Sequence, residues 1–198
     1  MKNRRSLALG VAAALLLTAL AAWYFAPGSP PLPVVSRLPE FSFTTEAGAA
    51  FTRSGLEGRV TIADFIFTSC AGTCPMMSTK MASLQQELAG DSRVQFVSTS
   101  VDPATDTPAA LAAYGKGYGA VPGRWIFLTG DKKEIFSLVR EGYHLGLDTE
   151  GDEAIIHSQK FVLVDAKADI RGYYDSEDEA DMKRLVRDAR ALARAIGA

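Results

Sequence analysis

The two cysteines of this chain, Cys70 and Cys74, lie between a strongly apolar stretch and a proline. The β-branched and aromatic residues from Val60 to Phe67 predict a buried strand. Pro75 favours the start of a helix, because its missing N–H would have no partner there in any case. The sequence therefore places both thiols in a strand-to-helix turn. The partial positive charge of the helix N-terminus favours thiolate over thiol at this point.

Thiolates in such a turn can act as a redox pair or bind a soft metal ion. The plain alternative is a structural disulfide, which is the usual state of two cysteines outside the cytoplasm. The stabilisation from a disulfide grows with the length of the loop it closes, and only Ala71, Gly72 and Thr73 separate Cys70 from Cys74. We therefore expect the pair to carry chemistry.

The N-terminal segment predicts the compartment. A short basic segment precedes an apolar run from Leu7 to Ala26, which as a helix spans the roughly 30 Å hydrocarbon core of a bilayer. The basic side stays in the cytoplasm, so we expect the rest of the chain in the periplasm of a bacterial cell. We interpret residues 1–26 as an uncleaved anchor in the cytoplasmic membrane. The alternative is a signal peptide cleaved after Ala19-Leu20-Ala21.

The composition after this segment fits one globular domain. Residues 27–38 are rich in proline and predict a stiff extended spacer. Residues 39–198 are enough for one domain with its own core. Acidic residues outnumber basic ones 23 to 21, and the formal net charge is −2. Because nucleic-acid-binding domains carry clustered basic charge, we expect no nucleic acid partner.

Strands and helices are predicted to alternate through this domain. A small hairpin is expected at 41–51, then strands at 60–67, 94–101 and 125–128 that alternate with helices at 75–89, 108–115 and 132–141. Residues 143–156 show no periodicity and are expected to form a long exposed loop. A hairpin over 160–174 and a helix over 179–196 follow. This order predicts an α/β fold, a thioredoxin-like sandwich with a central mixed sheet flanked by helices and preceded by one transmembrane helix.

His157 is the candidate third group at the dithiol. It precedes the predicted strand that begins at 160, where thioredoxin-type oxidoreductases carry a cis-proline beside their dithiol; this chain has no proline after Pro122. Two thiolates and one imidazole suit copper or zinc, whereas calcium and magnesium require oxygen ligands. A single histidine is more often a surface or core residue, and we interpret His144 in that way.

Five further residues have competing interpretations. Asp64 lies inside a predicted buried strand, so it is either a structural acid with a hydrogen-bond partner or an acid close to the metal site. Asp102 and Asp106 are expected to be turn and cap residues. Met77 falls on the apolar face of its helix and is predicted to be core, while Met76 lies off that face and could join a surface for a partner.

Three segments together resemble the Sco/SenC family of copper-binding proteins that help assemble cytochrome c oxidase. The resemblance covers about position 39 to the C-terminus and is carried by residues 63–75 with the C-x-x-x-C spacing, by residues 100–108 with Asp-Pro-Ala-Thr-Asp-Thr-Pro, and by Ile156-His157-Ser158 with the strand 161–165. One departure is the turn Ala166-Lys167-Ala168-Asp169, which stands where the family has a glycine-containing turn.

The resemblance implies that Cys70, Cys74 and His157 bind copper, as Cu(I) and as Cu(II). It implies a metallochaperone, not an enzyme, that delivers copper to the copper-bearing subunit of cytochrome c oxidase. Such a protein would need a periplasmic copper donor and a thiol reductant. The alternative is a thiol–disulfide reductase that acts on the oxidase or on other periplasmic dithiols. A peroxidase of the peroxiredoxin type fits less well, because Cys70 lacks the proline, threonine and arginine setting of a peroxidatic cysteine.

Overall fold

The computed structural model describes residues 32–146, 148–150, 153–155 and 159–196. The anchor predicted for residues 1–26 and the expected ligand His157 lie outside these residues. Within the described ranges, no helix has the length and apolar character needed to span a bilayer. Residues 33–198 form one compact unit.

An eight-stranded mixed sheet forms the centre of this unit, which confirms the predicted α/β class. The sheet strands are β1 Ser36–Arg37, β2 Ser42–Thr45, β3 Ala50–Thr52, β4 Val60–Ile66, β5 Val94–Ser100, β6 Trp125–Thr129, β9 Lys160–Val164 and β10 Asp169–Asp175. Their order in the sheet is β1-β10-β9-β4-β5-β6-β2-β3. The strands β4, β5 and β6 are parallel to one another, and the remaining pairs are antiparallel.

Helices follow the central strands as the sequence predicts. The helices are α1 Thr73–Glu87, α2 Pro108–Gly117, α3 Lys132–Ser137 and α4 Glu179–Ala195, with a 3₁₀ turn at Arg53–Leu56 and a π-helical turn at Leu138–Gly142. The side chain of Thr107 caps α2 by accepting a hydrogen bond from the Ala110 N–H at 3.2 Å. Asp131 and Asp178 cap α3 and α4 in the same way. Each cap satisfies backbone donors that have no partner inside the helix.

The strands β4 and β5 are buried along their whole length. A parallel strand covered on both faces favours apolar residues at consecutive positions, and most residues of β4 are apolar. Four polar residues lie at buried positions near the C-terminal end of the pair, namely Asp64, Ser98, Thr99 and Ser100. A buried polar group needs a partner, so these residues mark the end of the sheet where the two cysteines lie.

The prediction that residues 143–156 form a structureless exposed loop is wrong. Tyr143 and Leu145 are buried, and the Tyr143 ring packs edge-on against Phe65 with ring centroids 5.0 Å apart. A two-stranded hairpin follows, formed by β7 Asp148–Glu150 and β8 Glu153–Ile155. Strands of three residues are too short to show periodicity, and the burial of Tyr143 depends on a strand far away in sequence.

The turn between β9 and β10 explains how the chain dispenses with the expected glycine. Ala168 is buried and adopts a left-handed backbone with φ of 60°. That region is unfavourable for residues with a Cβ. Asp165 offsets the cost, because its Oδ1 accepts hydrogen bonds from the N–H groups of Lys167 and Asp169 at 2.8 and 3.1 Å. Arg171 donates to its Oδ2 at 2.5 Å.

Candidate metal centre

Both cysteines lie where β4 turns into α1. The strand ends at Ile66, the Cys70 N–H donates to the Phe67 carbonyl at 3.2 Å, and α1 begins at Thr73. The helix thus begins two residues earlier than predicted, and Pro75 is its third residue instead of its first. Both thiols are free; Cys70 is partly exposed, whereas Cys74 is buried in the first turn of the helix. The turn thus presents one accessible sulfur and one sheltered sulfur.

The helix N-terminus acts on the Cys70 sulfur. Partial burial of this thiol raises its pKa, but hydrogen bonds from the Cys74 side chain and from the backbone N–H groups of Gly72, Thr73 and Cys74 outweigh that effect. The pKa of Cys70 therefore lies below its ordinary value. A sulfur surrounded by backbone donors at a helix start is favoured as thiolate, which is the form that attacks disulfides and binds metals.

Cys74 has the opposite character. Burial raises the pKa of its thiol, and the hydrogen bond it makes to Cys70 raises it further. The negative charge of Asp64 also acts in this direction. In the metal-free protein the turn therefore holds one thiolate-prone sulfur and one that stays protonated. A cation placed between the two sulfurs would reverse the preference of Cys74, because it favours the deprotonated form.

Asp64 is a buried acid whose charge acts on Cys74. Its Oδ1 accepts a hydrogen bond from the Ser98 hydroxyl at 2.6 Å, and Ser98 in turn accepts from the Trp125 indole N–H at 2.9 Å. Its Oδ2 is buried and has no hydrogen-bond partner within the described part of the chain. Burial raises the pKa of Asp64 to about 7, although the bond from Ser98 opposes the shift. The partner that the sequence analysis required is therefore Ser98.

Asp106 was expected to serve as a turn or cap residue, and the capping part of that prediction is wrong. The cap of α2 is Thr107. The Asp106 carboxylate is fully buried and accepts hydrogen bonds from the Thr68 N–H, the Thr68 hydroxyl and the Ser100 hydroxyl. No local signal in the sequence indicates this role, because the residues on either side of Asp106 are exposed and its partner Thr68 is 38 positions away.

The remaining candidate residues, two methionines and one histidine, differ in how far they are buried. Met77 is buried, which confirms its assignment to the core, while Met76 is half-buried. His144 is exposed and adopts a left-handed backbone with φ of 50°. Within the described ranges, no group of three or more histidine, cysteine, aspartate and glutamate side chains is assembled for a metal ion. The structure therefore brings together Cys70 and Cys74, and the third predicted ligand, His157, is not among the residues it describes.

The fold and the paired thiols at the start of α1 define a thioredoxin-like dithiol protein. The family model described as SCO1/SenC matches residues 35–194, and the chain belongs to that family. A SCO1 protein homolog from Bacillus subtilis (strain 168) is 30% identical over 156 residues, which are 77% of this chain and 81% of that protein.

Two solved structures share the fold. BsSco, a member of the Sco family of cytochrome c oxidase assembly proteins in which a disulfide switch was identified, superposes with a TM-score of 0.72 at 30% identity. The match covers 82% of this chain and 96% of that one. ScoI of Arabidopsis thaliana with copper bound superposes with a TM-score of 0.65 at 26% identity, and covers 78% of this chain and 99% of that one.

Proposed function

We propose that this protein binds copper through Cys70, Cys74 and His157 and delivers it to the copper centre of cytochrome c oxidase during assembly. One observation carries the proposal: two free thiols lie at the start of one helix, Cys70 partly exposed in the turn before it and Cys74 buried in its first turn. The accessible sulfur allows exchange with a donor or a recipient. The sheltered one provides a second soft ligand away from water.

The donor set selects the metal. Thiolates are soft ligands that favour Cu(I), and imidazole suits both copper oxidation states. With Cys70 and Cys74 as thiolates, Cu(I) is satisfied by two sulfurs and one nitrogen. Cu(II) prefers a tetragonal arrangement and would take a further ligand, such as water or a carboxylate. Zinc is the competing ion for this donor set, so the metal must be identified directly.

The relatives support copper as the cargo and the oxidase as the recipient. ScoI of Arabidopsis thaliana holds copper, and BsSco belongs to a family of cytochrome c oxidase assembly proteins. We extend both properties to this chain. We further propose that residues 7–26 anchor it in the bacterial cytoplasmic membrane, that the domain faces the periplasm, and that it takes copper there from a donor after a thiol reductant has opened the dithiol.

Metal content tests the proposal. The full-length protein, purified in detergent under reducing conditions with both copper and zinc supplied, is expected to hold one copper ion per chain. Cys70→Ser and Cys74→Ser should each lose most of the copper. Ser69→Ala, a change at an exposed position of the same turn, is the matched control and should bind as the wild type does. Protein that holds zinc or no metal, or cysteine variants that bind copper normally, would contradict the proposal.

A second function, thiol–disulfide reduction, is favoured by a separate observation. The pKa of Cys70 lies below its ordinary value while that of Cys74 lies above it, which is the arrangement of an attacking thiolate and a resolving thiol. The metal-free reduced protein would then reduce a peptide disulfide, with two peptide thiols formed for each Cys70–Cys74 disulfide. Cys70→Ser should abolish this reaction. If protein that binds copper does not reduce the peptide disulfide, the second function is contradicted and copper delivery is the one proposed function that remains.

A further inference from the structure

The buried side chain of Asp106 accepts hydrogen bonds from Thr68, at the start of the dithiol turn. Its Oδ2 accepts hydrogen bonds from the Thr68 N–H at 3.1 Å and from the Ser100 hydroxyl at 2.5 Å. Its Oδ1 accepts from the Thr68 hydroxyl at 2.5 Å. Thr68 lies two residues before Cys70 and two residues after the end of β4. The carboxylate is fully buried, so these charge-assisted bonds are shielded from competition by water.

The carboxylate is itself held in a rigid frame. The Asp106 N–H donates to the Asp102 carbonyl at 2.9 Å, and the next residue, Thr107, caps α2. The Asp102 N–H donates to the Ser100 hydroxyl oxygen at 3.1 Å, which closes a small ring at the end of β5. Asp106 therefore cannot follow a movement of Thr68 without disturbing both a central strand and a helix start.

The rest of the turn is held by its own backbone, including the hydrogen bond from the Cys70 N–H to the Phe67 carbonyl at 3.2 Å. Ser69, Ala71 and Gly72 are small and exposed, and their surfaces face solvent. On the far side, Cys74 is fixed inside the first turn of α1. The turn thus has two fixed ends, Thr68 and Cys74, and Cys70 lies in the short adaptable stretch between them.

That stretch must change shape when the dithiol changes state. In a disulfide the two sulfurs are about 2.05 Å apart. When both bind one metal ion, each at roughly 2.3 Å, the sulfurs separate to nearly 4 Å. The described turn holds free thiols, so its hydrogen bonds, including those of Asp106, belong to the open form. Closing the disulfide shortens the distance between the two sulfurs, and because Cys74 is held in the helix, Cys70 and the residues next to it must adjust.

We propose that Asp106 is a positioning residue that fixes Thr68 and thereby favours the open dithiol over the Cys70–Cys74 disulfide. This inference rests on the proposed function of both cysteines, and it adds the residue that influences the equilibrium between the dithiol and the Cys70–Cys74 disulfide. The reaction concerned is the loss of two protons and two electrons by the thiols, with oxidised dithiothreitol as the acceptor, which becomes reduced dithiothreitol. Removing the contact shifts the balance toward the disulfide.

The test measures that balance in the metal-free full-length protein. The wild type and its variants are equilibrated in buffers of reduced and oxidised dithiothreitol, and the free thiols are counted by mass spectrometry. Asp106→Asn and Thr68→Val should each shift the equilibrium about tenfold toward the disulfide, which is about 30 mV for a two-electron couple. Thr68→Ser keeps the hydroxyl and should restore the balance of the wild type to within about twofold.

A matched control separates positioning from general destabilisation. Asp188, which lies in α4 outside the dithiol turn, is another buried carboxylate. Its Oδ2 accepts a hydrogen bond from the Tyr174 hydroxyl at 2.9 Å. Asp188→Asn should lower the stability but leave the thiol balance unchanged. An unchanged balance in Thr68→Val, or an equal shift in Asp188→Asn, would overturn the inference.

The test still decides the role of Asp106 if one variant does not fold or if the wild type binds no copper. If Asp106→Asn does not fold, Thr68→Val and Thr68→Ser decide the matter, because Thr68 is only partly buried. Copper binding by the wild type is measured separately. A wild type that binds no copper would contradict the proposed function, while the thiol balance of the metal-free variants would still confirm or overturn the role of Asp106.

Discussion

Asp64 in β4 and Ser98 in β5 face each other across the parallel pair, and the Ser98 hydroxyl donates to Asp64 Oδ1 at 2.6 Å. Only one of the two carboxyl oxygens is satisfied in this way within the described part of the chain. Burial without full hydrogen bonding disfavours the charged form, which is why the pKa of Asp64 rises to about 7. An acid with this pKa changes its charge near neutral pH.

The stability of the metal-free protein should therefore fall as the pH rises from about 4 to about 8. In this window the unfolded chain ionises Asp64 while the folded chain keeps it protonated, so the unfolded state gains. With a folded pKa of about 7 against an ordinary value of 3.8, the loss is on the order of 3–4 kcal/mol. Urea unfolding of residues 33–198 at pH 4, 6 and 8 measures it.

Asp64→Asn should remove this part of the pH dependence, because an amide does not ionise. The difference in unfolding free energy between variant and wild type should therefore move in favour of the variant as the pH rises. Glu134→Gln, which changes an exposed carboxyl in α3, is the control and should show the pH dependence of the wild type. A parallel pH profile for Asp64→Asn and the wild type would contradict the elevated pKa.

Two glycines of α2 should respond in opposite directions to the same substitution. A Cβ at Gly115 would lie 2.5 Å from the Phe127 ring, which is buried in β6. Gly115→Ala should cost about 1–3 kcal/mol through overpacking. A Cβ at Gly117 meets nothing within 4 Å, so Gly117→Ala should stabilise by up to about 1 kcal/mol through helix propensity. Urea unfolding of the pair measures both, and equal effects would contradict the packing of α2 on β6.

His157→Ala should weaken Cu(II) binding far more than Cu(I) binding. Two thiolates alone can hold Cu(I) in a near-linear geometry, whereas Cu(II) requires more ligands. Competition with chelators specific for each oxidation state measures the two affinities. His144→Ala is the matched control, since His144 is the other histidine of the chain and is exposed. Equal Cu(II) affinity in wild type and His157→Ala would remove His157 from the site.

Oxidation of the dithiol should block copper loading. A disulfide offers no thiolate, and its sulfurs are too close together to share a metal ion between them. Copper added to the air-oxidised protein should not be retained, while the reduced protein should bind about one equivalent. Bound copper is measured after gel filtration, and mass spectrometry verifies the state of the thiols. Stoichiometric binding by protein that keeps its Cys70–Cys74 disulfide would refute this gate.

The proposed anchor predicts where the protein is found. A reporter that is active only outside the cytoplasm should work when fused after Ala198, and the fusion should stay in the membrane fraction. Replacement of Leu15 and Leu16 by arginine should prevent insertion and abolish reporter activity, because charge at the centre of a span is costly. A soluble periplasmic form that begins near Ala22 would instead establish a cleaved signal peptide.

Features that depend on neighbouring residues could be predicted from the sequence alone. A continuous apolar run followed by two cysteines and Pro75 predicted a buried strand, a turn and a helix start, and the structure confirms that order. Met77 was predicted as core, and its burial confirms that prediction. Periodicity and capping act over a few residues, so their signals are written locally in the chain.

The contacts between distant residues near the dithiol depend on how the whole domain packs. Ser98 reaches Asp64 because β5 lies beside β4 in one particular register, and Asp106 reaches Thr68 across 38 positions of sequence. Tyr143 is buried where its ring packs edge-on against Phe65. A hydrogen bond or ring contact of this kind depends on strand order and register, which arise from the packing of the whole domain. No local pattern encodes them, so a carboxylate expected to cap a helix proved to hold the turn that carries Cys70.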